Sequence, residues 1–89
     1  MRNNNLNKHC RVCGYYNIDP PWGNDGSSPS FNICDCCGSE FGYHDFTLIG
    51  IRRQRTIWLE HPNQWNNPSV KSYDWSLEEQ LKNIPEQFK

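Results

Sequence analysis

Apolar and polar positions alternate with different rhythms in different parts of the chain. Residues 1–8 (MRNNNLNK) are almost wholly polar and read as a disordered N-terminal tail. From His9 to Tyr43 the apolar residues come singly or in short runs between Gly and Pro, with no helical period. Two runs there, Gly14–Ile18 and Ser30–Ile33, have the aromatic and β-branched content of short strands. The Asp19–Pro29 segment between them is a predicted loop, with Asp25-Gly26 at its apex. From Thr47 to Glu60, Leu48, Ile51, Trp58 and Leu59 recur at helical spacing and share one face. Asp45 or Thr47 is placed to cap that helix, Pro62 to stop it, and Gly50 weakens it locally. A second, short helix starts at the capping box Ser76-Leu77-Glu78-Glu79 and carries a Leu77, Leu81, Ile84 stripe up to Pro85.

Size changes what this pattern must achieve. The chain has 89 residues, of which 35% are hydrophobic, enough for one domain over 9–89 with a modest core. Domains of this size commonly need a staple, such as a disulfide, a metal or an oligomer contact. The cysteines are the obvious place to find one.

They read C-x2-C-G at Cys10–Gly14 and again at Cys34–Gly38. Each pair supplies two thiolates from one tight turn, and two such knuckles complete a tetrahedral site. Cys10, Cys13, Cys34 and Cys37 are therefore the expected ligands of one structural zinc ion, although all-sulfur ligation suits iron as well. The five cysteines cannot all pair as disulfides within one chain. A redox C-x2-C would need a βαβ context that the pattern lacks. The fifth thiol, Cys36, lies between two ligands and is expected to point away from the metal. His9 and His44 flank the knuckles as alternative ligands.

Charge and the remaining residues narrow the function class. Net charge is −1 with cysteines counted neutral. Four thiolates around one divalent ion would take it to about −3. That balance disfavours a general nucleic-acid binder. No stretch of the sequence has the length and apolarity of a secretory signal or a membrane span, which points to the cytosol. A site closed by four cysteines leaves no open position for catalysis, so no enzyme activity is expected. Arg55 falls in the middle of the apolar face of the first helix. It calls for a partner, with Glu40 or Asp45 as the candidates for a structural ion pair. Trp22, in its Pro-Pro-Trp-Gly loop, and the neighbouring Arg52 and Arg53 are candidate partner-binding residues.

Further matches extend beyond the knuckles: C-x2-C-G-Y at Cys10–Tyr15, I-C-x2-C-G-x-E-F-G-Y at Ile33–Tyr43, R-x2-W-L at Arg55–Leu59 and W-x3-E-Q-L at Trp75–Leu81. Together they resemble small bacterial cysteine-rich, CPCC-like zinc-ribbon proteins of unassigned role. Cys36 departs from the commoner knuckle, whose middle positions are not thiols. The resemblance implies zinc held at the four matching cysteines and, for some such proteins, a role as immunity proteins that neutralise toxin domains.

The expected fold is a small, metal-stapled α+β domain, a zinc ribbon of short β-hairpins followed by two helices packed on it. The expected function is a non-enzymatic protein-interaction module, most concretely an immunity protein bound to a cognate toxin. The alternative is a nucleic-acid-binding or regulatory zinc ribbon, which would need Arg11, Arg52, Arg53 and Arg55 to converge on one face.

Overall fold

The computed structural model describes residues 7–89. Most of the expected 1–8 tail lies outside the described residues. Of its last two positions, Lys8 accepts the backbone N–H of Asn17 at 2.8 Å and so belongs to the first knuckle.

Both knuckles close in the same way. In the first, the Cys10 N–H donates to Tyr15 O and the Gly14 N–H donates back to Cys10 O, each at 2.9 Å. A single antiparallel bridge, His9 to Tyr16, finishes the turn. In the second, Cys34 donates to Ser39 O at 2.9 Å and Gly38 to Cys34 O at 3.0 Å, and Ile33 bridges Glu40. The segments expected as strands thus supply one bridging residue each, Tyr16 and Ile33, and their pairing is within a knuckle rather than between segments. Two local features stop longer ladders. Phe31 takes φ +62°, which breaks the extended run, and Pro20, Pro21 and Pro29 lack the N–H that a ladder needs. The loop apex is where the sequence placed it: Asp25 accepts the Ser27 N–H at 2.8 Å and Gly26 turns with φ +73°.

Two helices follow. The first, α1, spans Leu48–Leu59, and Thr47 caps it by accepting the Gly50 N–H at 3.0 Å. Only Ile51 and Trp58 are buried; Leu48 and Leu59 lie on the flanks of the stripe, so the inward face is narrower than the apolar pattern suggested. Gly50 is small for a packing reason, because a Cβ there would meet His44 O at 2.9 Å. The second, α2, spans Leu77–Leu81, with Ser76 accepting the Glu79 N–H at 3.2 Å. The reciprocal half of the capping box is absent, since the Glu79 carboxylate pairs with Lys82 at 3.0 Å. Short 3-10 turns at Pro68–Val70 and Glu86–Phe88 complete the described elements.

The core is unusual in being organised around sulfur. Cys10, Val12, Cys13, Cys34, Cys36, Phe41, Ile51, Trp58 and Trp65 form one buried cluster, with Leu77, Leu81 and Phe88 packed against it. Trp65 sits between Tyr15 and Trp75, edge to face with both, at centroid distances of 5.3 and 5.6 Å. Among the described residues, no helix is long and apolar enough to cross a membrane.

Candidate metal centre

The two turns bring Cys10, Cys13, Cys34 and Cys37 together, with all four sulfurs within 4.8 Å of one another. Cys10 Sγ lies 3.7 Å from Cys37 Sγ, and Cys13 Sγ 3.7 Å from Cys34 Sγ. With metal–sulfur bonds of about 2.3 Å, a regular tetrahedron of thiolates has edges of about 3.8 Å. The separations are therefore those of ligands around one ion, and they are far too long for disulfides. All five cysteines are free thiols. Four soft donors, three of them fully buried, fit zinc or another thiophilic ion.

Four sulfurs packed this closely cannot all ionise without a cation between them. Burial pushes the Cys10 and Cys13 thiols well up. Cys37 is held well below its usual value by hydrogen bonds from Cys10, Cys13 and Cys34. Its sulfur also lies 3.2 Å from Ser39 Oγ, and Ser39 is fully buried.

Cys36 is buried too, but it faces α2. There Gln80 Nε2 donates to its sulfur at 3.3 Å and to Cys13 O at 3.0 Å. The other end of the same side chain, Gln80 Oε1, accepts the Trp75 indole N–H at 2.7 Å. Periodicity marks Leu77, Leu81 and Ile84 and gives no sign that Gln80 is the buried residue of α2. Neither flanking histidine joins the site. His44 Nδ1 accepts the Glu40 N–H at 2.9 Å, and His9 stacks edge-on against Tyr16.

The expected ion pair of Arg55 with Glu40 or Asp45 does not form; the ion pairs of the described residues are Lys82–Glu79 and Lys89–Glu86. Arg55 instead donates to three backbone carbonyls: Val12 O at 2.8 Å, Arg11 O at 2.9 Å and Phe88 O at 2.6 Å. It reaches these because it stands between Ile51 and Trp58 on the inward face of α1, under the first knuckle. Asp45 is fully buried and accepts the Trp22 indole N–H at 2.9 Å and the Gly42 N–H at 2.6 Å. Trp22, expected as a partner contact, is consequently a packed residue with 8% exposure. Arg11 lies over its ring at 4.1 Å and over Phe88 at 4.0 Å. Burial lowers the Arg11 pKa, and nearby Asp45 counters that by favouring the charged form. Arg53 is exposed, and the exposed Arg52 donates to Lys89 O at 2.9 Å.

Comparison with known proteins adds one relative. The chain is 35% identical over 75 residues to YozI, an uncharacterized protein of Bacillus subtilis (strain 168), in an alignment that takes in 66% of this chain. It spans 62% of that protein's length. No protein-family model matches the chain, and no solved structure matches it. What stands is a small cysteine-rich protein with a bacterial relative and four cysteines able to hold a metal.

Proposed function

We propose that this chain is a non-enzymatic zinc protein in which one ion, held by Cys10, Cys13, Cys34 and Cys37, staples a zinc-ribbon α+β fold that acts through its outer surface. The observation that carries the reading is the closed sulfur tetrahedron. Four protein ligands leave no coordination position for a substrate, and three of the four cysteines are fully buried. Binding at such a site contributes on the order of 10 kcal/mol to folding. Elemental analysis and thiol counting on metal-loaded protein test this. One zinc per chain, with all five thiols reduced once the protein is unfolded and the metal chelated, supports it; loaded protein without a stoichiometric metal removes it.

The surface favours a protein partner over nucleic acid. Of the four arginines that a nucleic-acid face would need, Arg11 is stacked between aromatic rings and Arg55 is spent on carbonyls. Around the start of α1, by contrast, Tyr43, Phe46 and Ile49 are each more than 70% exposed. Tyr43, Phe46 and Arg53 line one shallow groove there. Two exposed aromatic rings beside a cation suit a protein surface that offers apolar and acidic groups. Neutralisation of a toxin domain is the concrete form of this role that we put forward. Coexpression with the toxin should relieve its growth arrest, and a Phe46→Asp, Arg53→Glu variant should lose that protection while keeping its zinc. A mobility shift with nucleic acid that weakens steeply with salt would favour the alternative.

A further inference from the structure

The middle carbonyls of both knuckle turns are held from the C-terminal half of the chain, but by different chemistry. In the second knuckle, Asp35 O and Cys36 O accept the backbone N–H groups of Asn67 and Asn66 at 2.8 and 3.2 Å. These donors are neutral. In the first knuckle the equivalent carbonyls, Arg11 O and Val12 O, accept from the Arg55 guanidinium. Arg11 C=O and Val12 N–H belong to one peptide unit. Its oxygen faces the guanidinium at 2.9 Å, and its N–H donates to Cys10 Sγ at 3.4 Å. A trans peptide fixes those two directions opposite each other, so anchoring the oxygen aims the N–H. A cation on the oxygen also polarises the peptide and strengthens the donor.

From this we infer that Arg55 is a positioning residue of the metal centre. It orients and polarises the Arg11–Val12 peptide toward Cys10 Sγ, and it supplies the cation that offsets the negative charge of a metal tetrathiolate. The inference rests on the metal-binding reading above. One further observation agrees with it. No carboxylate pairs with Arg55 among the described residues. Hydrogen-bonded groups just outside the ligands of a metal commonly contribute 10–100-fold to metal affinity.

The test is cobalt(II) titration of wild type, Arg55→Gln and Arg55→Lys, followed by the sulfur-to-cobalt charge-transfer band and by competition with a chelator. Arg55→Gln removes the charge and the fork. It should bind cobalt about 10–100-fold more weakly, and the band should move to lower energy, because a thiolate relieved of a polarised donor gives up charge more readily. Arg55→Lys keeps the charge but cannot span both carbonyls, so it should fall between the two. A clamp that only held the fold would weaken binding without moving the band. Wild-type affinity and an unmoved band in Arg55→Gln would overturn the inference. Should that variant not fold, a wild-type affinity and spectrum in Arg55→Lys would overturn it. If wild type itself binds no cobalt, it is the metal reading that fails.

Discussion

At the scale of single residues, equivalent positions in the two knuckles have unequal duties. Gly14 and Gly38 close their turns with φ +85° and +78°, so any other residue meets the left-handed penalty of about 1–2 kcal/mol at either position. Their surroundings differ. A Cβ on Gly14 would collide with the backbone carbonyl of Gln80 and lie 3.2 Å from Ile84, whereas on Gly38 the nearest atom is Asn66 Cβ at 3.8 Å. Gly14→Ala should therefore cost roughly 2 kcal/mol more than Gly38→Ala, in the range of overpacking a core. Denaturant titration of the two metal-loaded variants measures that gap, and equal losses would show that α2 does not dock where Gly14 leaves room. Gln80 is the complementary case. Gln80→Ala strands the Trp75 indole N–H and the Cys13 carbonyl, each with a desolvation cost of about 1–3 kcal/mol if it stays buried. The same titration should show a loss near the sum of those two terms, well above that of Glu78→Ala on the exposed side of α2.

At the scale of elements, what was legible in the sequence was local. The knuckle turns, the Asp25-Gly26 apex, the Thr47 and Ser76 caps and both helices each rest on signals a few residues apart. The pairings that build the site do not. Arg55 stands out as a cation on an apolar face, but its partners are the carbonyls of Arg11, Val12 and Phe88, and a carbonyl leaves no trace in side-chain identity. Gln80 looks like any surface glutamine. The ion pair expected from Glu40 and Asp45 fails for a related reason, because Asp45 is already engaged by Trp22 and by the turn at Gly42. These long-range contacts also determine what metal loss does. α2 has five residues, too few to hold as an isolated helix, and its buried anchor bonds to the backbone of one ligand and to the thiol beside another. Chelation should release it. Amide exchange across α2 should accelerate on metal removal together with exchange in both knuckles. Protection of α2 that survives without metal would show that Leu77, Leu81 and Ile84 hold it unaided.

At the scale of the whole molecule, a metal held by the four cysteines would tie stability to pH. A metal that binds the folded chain and not the unfolded one stabilises in proportion to its own binding free energy. That binding needs thiolates, and burial keeps Cys10 and Cys13 protonated beyond the ordinary thiol range when no cation compensates them. Entry of the ion then displaces protons from these sulfurs. Each proton released weakens apparent affinity about tenfold for every unit the pH falls, so release of two would give about 100-fold per unit. The sign follows directly: metal-derived stability is present at neutral and alkaline pH and is lost on acidification. Arg55 acts in the same direction, because a cation near the sulfurs favours the deprotonated form. The Arg55→Gln variant should therefore release its metal at a higher pH than wild type. Thermal midpoints of the metal-loaded protein, taken from pH 8 down to pH 5 at fixed free zinc, should fall steeply and more so than those of the chelated protein. A flat profile would mean that fewer protons leave than the burial of Cys10 and Cys13 requires, and that the sulfurs are already ionised before the metal arrives.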